Sequence, residues 1–131
     1  ELLVNGFSVP TLQTSVHLPA MRPALSAAME VAVYRIVQEA LTNISKHAHA
    51  HIAVVTLEAE NDRLLLVICD DGVGLPSQPE MGMGLHSMRE RAEELGGTLT
   101  VRPNIPAGSC ILAQFPLEPG ESDGADPYPD L

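Results

Sequence analysis

The sequence predicts a two-layer α/β sandwich, in which one mixed β-sheet carries its helices on a single face. Two segments show apolar residues at helical spacing, and five shorter segments have the apolar runs and flanking turn residues of strands. Along the chain they follow the order strand, long helix, two strands joined by a turn, loop, helix and two strands. With 131 residues, 45% of them apolar, the chain is long enough to bury one core.

The first half of the chain contains the predicted sheet edge and the long helix. Residues 7–18 carry spaced apolar side chains but are interrupted by Pro10, as in an irregular edge strand or a hairpin arm. The segment from about Ser26 to Lys46 lacks Gly and Pro, and its apolar stripe predicts a helix. A strand is expected over residues 52–59, and Asn61-Asp62 supplies the following turn.

The second half begins with the segment that most resembles a central strand. Leu64–Cys69 is a nearly unbroken apolar run, and a loop rich in Gly and Pro follows it. A second helix is expected from about Gly84 to Leu95, where Gly96-Gly97 ends it. The last two strands are expected near residues 98–102 and 109–115.

Composition separates a folded domain from an acidic tail. Glu118–Leu131 contains five acidic residues, three Pro and two Gly, so we expect it to be disordered and place the domain in residues 1–117. The net charge of −10 argues against a direct nucleic-acid partner, which requires a basic face. A nucleotide site remains compatible with this charge, because a metal ion, local cations and backbone N–H groups can hold a triphosphate.

The cysteines and the ends of the chain suggest a cellular location. Reduced thiols are the simplest interpretation of Cys69 and Cys110, with a single disulfide as the alternative. No apolar run reaches the ~18 residues of a membrane span, and the start shows no signal peptide. We therefore expect a cytoplasmic domain. Since the chain begins with Glu1 rather than Met, we also expect neighbouring domains in the parent protein.

A row of polar residues runs beside the apolar stripe of the long helix. Glu39 and Asn43 are four residues apart and hence neighbours on one face, and Lys46 and His47 are expected to continue the row. A carboxylate, an amide oxygen and nearby cations suit a hydrated Mg²⁺ and phosphates. The alternative is an ordinary solvated helix face. A zinc site at His47, His49 and His51 is disfavoured, because the three rings would diverge between helix and strand.

Two glycine-containing segments follow the predicted central strand. Asp70-Asp71-Gly72-Val73-Gly74 places carboxylates and glycines at a strand end, where ligands bind in many α/β folds, although Asp-Gly also favours plain turns. Gly82-Met83-Gly84-Leu85 opens the second helix, whose N–H groups and dipole favour phosphate. A hinge or a simple helix entry would explain the second segment equally well.

Together these segments resemble the N, G1 and G2 boxes of the ATP-binding catalytic domains of bacterial two-component sensor histidine kinases, in the GHKL superfamily. The long helix carries YRIVQEALTN from Tyr34 to Asn43, followed by Lys46-His47-Ala48. Gly84–Ala92, GLHSMRERA, is similar to the G2 segment of the subfamily that pairs with helix-turn-helix response regulators of the nitrate-response type. The resemblance covers roughly residues 17–116 and implies a Bergerat-type fold.

The resemblance implies roles at the metal and phosphate end of a nucleotide site. Asn43 would coordinate Mg²⁺, and Glu39 would orient a water on the metal or assist proton transfer. Lys46 and His47 would lie near the phosphates of ATP. The stretch from Leu75 to Met81 is short and holds no distinct F box, as in the short lids of this subfamily.

The resemblance also implies contacts to the base. Asp70 would accept a hydrogen bond from the adenine amino group, and Ser109 matches a small hydroxyl position near adenine that many members fill with Thr. It assigns no role to Asp71. The remaining implied contacts come from Gly72 and Gly74 around the base, and from Gly82, Gly84 and Leu85 at the lid and the phosphate end.

The resemblance implies ATP and Mg²⁺ as cofactors and phosphoryl transfer to a histidine as the reaction. That histidine lies on a dimerising two-helix hairpin upstream in such kinases, and no segment here has that pattern. The implied partners are this phosphoacceptor domain, a cognate response regulator and a second copy of the kinase, which is soluble or anchored in the inner membrane. The rivals are another GHKL enzyme, such as an anti-sigma-factor serine kinase or a gyrase- or MutL-like ATPase, and a module that only binds ATP.

Overall fold

The structure, a computed structural model, describes residues 12–20, 23–73 and 84–117, apart from the side chains of residues 47 and 48. Within these ranges the chain forms one five-stranded sheet and two α-helices. A π-helical turn, Ile44–Ala48, follows the first helix. The strands are β1 (Gln13–His17), β2 (Ile52–Glu60), β3 (Arg63–Asp70), β4 (Thr98–Pro103) and β5 (Ser109–Pro116), and the helices are α1 (Ala27–Asn43) and α2 (Leu85–Glu94).

The sheet is mixed, with the strand order β1-β2-β3-β5-β4. β1 pairs with β2 in parallel, and the other three pairs are antiparallel. The β1–α1–β2 connection is long because parallel neighbours need a crossover. β3 lies in the centre, as its apolar run predicted, and β1 lies at an edge. Because β1 pairs with β2 in parallel, the alternative prediction of a hairpin arm is excluded for the described part of residues 7–18.

Helix α1 begins where the sequence provides a cap. The Ser26 hydroxyl accepts a hydrogen bond from the Met29 N–H at 3.1 Å, and Glu30 places a carboxylate in the first turn. The chain is helical over the predicted range to Lys46, but the α-helix ends at Asn43 and the last turn is π-helical. Within that turn the Ser45 hydroxyl donates to the Thr42 carbonyl at 3.0 Å and competes for a helical acceptor.

Both helices pack on the same face of the sheet, which confirms the predicted two-layer sandwich. β3 alternates buried and half-buried side chains along its length, so the core lies on one side of it. Apolar burial of this kind contributes about 25 cal/mol for each Å² removed from water. The centre of the core consists of Ile36, Val37 and Ala40 of α1, Leu64, Leu66 and Ile68 of β3, Met88 and Ala92 of α2, and Phe115 of β5.

Backbone hydrogen bonds close the end of α2 and hold the last described residue. Gly97 N–H donates to the Ala92 carbonyl at 2.9 Å, and Gly96 adopts a φ of +78°. At the chain's last described position, Leu117 is buried and its N–H donates to the Asp62 carbonyl at 2.7 Å. The predicted disordered tail from Glu118 lies outside the described residues. Neither described helix is long and apolar enough to cross a membrane.

The cysteines form a bridge in this structure. Cys69 and Cys110 are joined by a disulfide, so the interpretation as reduced thiols is wrong here and its alternative holds. The two residues lie directly opposite each other in the β3–β5 ladder, with their Cα atoms 4.1 Å apart. They are separated by 41 positions in sequence, and only the strand pairing brings them together.

Candidate functional site

Three of the predicted site residues meet at the end of the central strand. Asp70 is the last residue of β3 and only 4% exposed. Its Oδ1 accepts a hydrogen bond from the Gly72 N–H at 2.7 Å, and its Oδ2 accepts one from the Ser109 hydroxyl at 3.1 Å. Ser109 is the first residue of β5 and is also buried. The pairing of β3 with β5 therefore builds this cluster from two distant parts of the sequence.

The Asp70 carboxylate keeps acceptor capacity after these two bonds. An ionised carboxylate has about four lone-pair sites, and Gly72 and Ser109 use one on each oxygen. A buried acceptor of this kind favours a donor such as an exocyclic amino group, because an unmatched acceptor opposite it would leave both groups unpaired. The cluster is thus chemically suited to accept a hydrogen bond from a donor group of a ligand.

The β4–β5 loop holds this cluster in place through residues that the sequence did not point to. The Asn104 side-chain amide donates to the Asp70 carbonyl at 2.9 Å, and the Asn104 N–H donates to the Gly108 carbonyl at 3.0 Å. Gly108 has a φ of +98°, and a Cβ there would collide with the Asp70 carbonyl oxygen. A side chain at this position is therefore excluded by backbone conformation and by space.

The disulfide adjoins the cluster directly. Cys69 precedes Asp70 in β3, and Cys110 follows Ser109 in β5. The bridge therefore fixes the spacing of the two strands one residue away from the Asp70–Ser109 hydrogen bond. The sequence could offer this bridge only as an alternative, because the opposition of the two cysteines depends on the register of β3 against β5.

Asp71, for which the sequence suggested no role, ties the end of β3 to the start of β2. Its Oδ1 accepts hydrogen bonds from the N–H groups of His51 and Ile52, both at 2.9 Å. The bond from Ile52, followed by the bond from His51, lowers the pKa of the Asp71 carboxyl. Since its folded pKa is depressed, its stabilising effect is present above the ordinary Asp pKa and is lost as the pH falls through the lowered value.

The predicted metal-binding pair lies on the last turns of α1. Asn43 is the final residue of α1 and is 8% exposed, while Glu39, one turn earlier, is half-buried. Helical spacing places both side chains on the same face of α1, as expected. The π-helical turn that follows breaks this spacing, so Lys46, which is exposed, does not simply continue the row. Short π-helical segments frequently occur at functional sites.

Glu39 also connects α1 to the start of α2. The side chain of Glu39 occupies the space in which a Cβ of Gly84 would lie. Gly84 precedes α2 with a φ of +70°, which is a second reason why other residues are disfavoured there. The contact brings a carboxylate to the N-terminus of α2, where the helix dipole stabilises negative charge.

The other predicted site residues are only partly described. Leu85 is the first residue of α2, and its side chain is buried in the core. The side chain of His47 and all of Gly74 and Gly82 lie outside the described residues. Within the described part of the chain, no group of three or more His, Cys, Asp and Glu side chains could hold a metal ion.

The sequence matches a known family over most of its length. The profile of the histidine kinase-, DNA gyrase B- and HSP90-like ATPases covers residues 28–119. The chain belongs to this family. The region shared with these ATPases runs from the first turn of α1 to just beyond β5, and therefore includes Glu39, Asn43, Asp70 and Ser109.

Relatives of this ATPase domain are sensor kinases. The signal transduction histidine-protein kinase/phosphatase UhpB of Salmonella typhimurium is 51% identical over 81 residues, 60% of this chain and 16% of UhpB. The nitrate/nitrite sensor protein NarQ of Escherichia coli is 41% identical over 108 residues, 80% of this chain and 19% of NarQ. The chain thus spans less than a fifth of either relative's length. These matches confirm the resemblance to sensor histidine kinases.

Solved structures confirm the fold. The histidine kinase domain of the E. coli osmosensor EnvZ has a TM-score of 0.68 and 17% identity, with 89% of this chain and 83% of that chain covered. The ATP-binding domain of PrrB from Mycobacterium tuberculosis has a TM-score of 0.66 and 20% identity, with 88% and 92% covered. At these identities the likeness concerns the fold alone.

Proposed function

We propose that this chain is the ATP-binding catalytic domain of a two-component sensor histidine kinase. It binds Mg²⁺-ATP and donates the γ-phosphoryl group to a histidine on a separate dimerisation domain of the same kinase. The buried Asp70–Gly72–Ser109 cluster, inside a segment matched by the ATPase family, is the observation that carries this proposal. The names of UhpB and NarQ support the kinase assignment.

In this proposal the adenine base binds at the end of β3. Asp70 accepts a hydrogen bond from the adenine amino group with the acceptor capacity that Gly72 and Ser109 leave. The Ser109 hydroxyl, which donates a hydrogen bond to Asp70, can itself accept one from a bridging water. In this proposal Gly72 and Gly74 shape the base pocket, because glycine lets a flat ligand approach the backbone closely.

The residues on α1 suit a hydrated Mg²⁺. Mg²⁺ usually keeps several waters and takes only one or two protein oxygens, so it needs no larger cluster of ligands. Asn43 offers an amide oxygen as a direct ligand, and the Glu39 carboxylate one turn away can orient a metal-bound water. When bound, the ion would neutralise charge on the β- and γ-phosphates.

Phosphoryl transfer on this domain depends mainly on positioning. The exposed Lys46 on the π-helical turn, together with His47, lies on the segment we assign to the phosphates. We assign Gly82, Gly84 and Leu85 to the lid and the phosphate end, where the dipole of α2 would favour negative charge. The bond between the γ-phosphorus and the leaving ADP oxygen breaks, and a phosphorus–nitrogen bond to the acceptor imidazole forms. In this proposal Glu39 orients a water on the metal or assists proton transfer.

We place the domain in the cytoplasm, where ATP is available, within a dimeric parent kinase. Its partners are the upstream domain that carries the acceptor histidine and, through that domain, a response regulator. In this proposal the parent kinase is either soluble or anchored in the inner membrane.

Substitution of Asn43 by Ala is expected to weaken Mg²⁺-dependent ATP binding about tenfold or more, because a metal oxygen ligand is lost. Isothermal titration with Mg²⁺ and with EDTA measures the metal-dependent part. Because Asn43 is buried, Asn43→Asp serves as a second variant that keeps size and an oxygen ligand. Gln38→Ala, on the exposed side of the same helix, is the control for helix propensity. Unchanged affinity of Asn43→Ala in Mg²⁺ would remove the metal role.

The isolated chain is expected to bind ATP without phosphorylating its own histidines. Its five histidines belong to the nucleotide-binding chain itself, and transfer needs an approach of about 3–3.5 Å in line with the leaving oxygen. Incubation with labelled ATP should leave this chain unlabelled, whereas an added His-bearing hairpin from the parent kinase should acquire acid-labile phosphate. Stoichiometric acid-labile label on the chain alone would contradict an external acceptor. Labelling of neither component, despite ATP binding, would favour a module that only binds ATP.

A further inference from the structure

We propose that Asp71 is a positioning residue of the nucleotide site. It holds the Asp70 carboxylate, which we assign to adenine, at a fixed distance from the end of α1 and the π-helical turn, which we assign to the phosphates. The inference deepens the proposed function and rests on it. Its starting point is a set of three hydrogen bonds between residue 71 and residues 51–52. Asp71 Oδ1 accepts from the N–H groups of His51 and Ile52, and the Asp71 N–H donates to the Ile52 carbonyl at 3.3 Å.

Each end of this connection adjoins one half of the site. On one side, Asp71 immediately follows Asp70 and precedes Gly72, whose N–H orients the Asp70 carboxylate. On the other side, His51 stands three residues after the π-helical turn that carries Lys46. Between them the chain turns at His49, which has a left-handed φ of +53°. The Asp71 carboxylate is therefore a short side-chain link from the base-binding end to the exit of α1.

The charge of Asp71 and its hydrogen bonds predict opposite effects on ATP affinity when the side chain is removed. Asp71 is exposed and negative, and ATP is a polyanion. If Asp71 acted only through its charge, removing it would strengthen ATP binding or leave it unchanged. If it positions the two halves of the site, removing the acceptor oxygen would weaken ATP binding although a repulsive charge has been lost. Asn retains the acceptor oxygen without the charge and separates the two effects.

The test is ATP affinity, measured by calorimetry well below the melting temperature, for Asp71→Ala and Asp71→Asn. We expect Asp71→Ala to weaken ATP binding about three- to tenfold and Asp71→Asn to stay within about twofold of the unsubstituted chain, which follows from the loss or retention of backbone hydrogen bonds. Asp62→Ala is the matched control. It removes an exposed carboxylate at the β2–β3 turn, at the opposite end of β3, and should not weaken binding.

Hydrogen exchange at the amides of His51 and Ile52 provides the second readout. Protection should fall in Asp71→Ala and recover in Asp71→Asn. Hydrogen exchange does not require nucleotide, so it tests these hydrogen bonds even if the unsubstituted chain fails to bind ATP. That failure would overturn the proposed function. Unchanged ATP affinity in Asp71→Ala, with or without a lower melting temperature, would overturn the positioning role. Tighter ATP binding in both variants would also overturn it and show an effect of charge alone.

Discussion

Reduction of the Cys69–Cys110 disulfide is expected to lower the free energy of unfolding by about 4 kcal/mol, as estimated from the entropy of closing the loop between the two cysteines in the unfolded chain. The loop is long because 41 positions separate the two cysteines. For a domain of this size, such a loss corresponds to a fall in melting temperature of roughly 15 °C. Thermal unfolding with and without dithiothreitol measures it, with thiol counting to verify both states.

The control for reduction is the double variant Cys69→Ser, Cys110→Ser. Its melting temperature should lie near that of the reduced chain and should not respond to dithiothreitol. A change of less than about 3 °C in the unsubstituted chain on complete reduction would show that the native strands hold their register without the bridge. In that case the β3–β5 ladder, rather than the bridge, would determine the geometry of the Asp70–Ser109 pair.

The disulfide also bears on the proposed location of the domain. Cytoplasmic proteins usually keep their thiols reduced, and a disulfide there is most often transient. The structure joins the two cysteines, whereas a cytoplasmic ATP-binding domain would meet a reducing environment. The reduced and oxidised chains should therefore both be measured, because the reduced one represents the protein in that compartment.

Substitution of Asp70 by Asn is expected to remove most of a preference for ATP over GTP. In the unsubstituted chain we expect that preference to be roughly 10- to 100-fold, since mismatching a charged, buried hydrogen-bond group costs about 1.5–3 kcal/mol. The amide introduced by Asp70→Asn can keep its oxygen toward the Gly72 N–H and turn its nitrogen toward Ser109. The second N–H of that amide then opposes the amino group of adenine but matches the carbonyl of guanine.

Competition calorimetry with ATP and GTP tests this loss of preference. The ratio of the two affinities is the decisive quantity, because a general loosening of the site would weaken both nucleotides together. Asp62→Asn makes the same chemical change at an exposed turn and should leave the ratio unchanged. Equal affinities for ATP and GTP in the unsubstituted chain would contradict the role of Asp70 in recognising the base.

The position of the site follows from the sheet order. β3 and β5 are far apart in sequence but adjacent in the sheet, and their paired ends bring Asp70 next to Ser109. On the other side of β3, the start of β2 brings the N–H groups of His51 and Ile52 to Asp71. Two adjacent carboxylates therefore have different surroundings. Asp70 is buried and accepts hydrogen bonds from the Gly72 N–H and the Ser109 hydroxyl, whereas Asp71 is exposed and accepts from the N–H groups of His51 and Ile52.

Much of the architecture followed from the sequence because its signals are local. The apolar stripe of α1 and the Ser26 cap act within a few residues, and the run from Leu64 to Cys69 is apolar enough to require a central position. The spacing of Glu39 and Asn43 placed them on one helix face without any knowledge of tertiary contacts. The family resemblance then gave the set of candidate residues that local patterns alone could not distinguish from turns.

The sequence by itself determined the two-layer class, the order of the elements and the identity of the Asp70 and Asn43 candidates, since helical period, strand hydrophobicity and short motifs are properties of contiguous residues. Only the tertiary structure decided the disulfide, the Asn104 and Gly108 contacts to Asp70, and the hydrogen bonds of Asp71 to the start of β2. These features join residues between 19 and 41 positions apart. Their partners depend on strand register, which is set by the packing of the whole sheet rather than by any local segment.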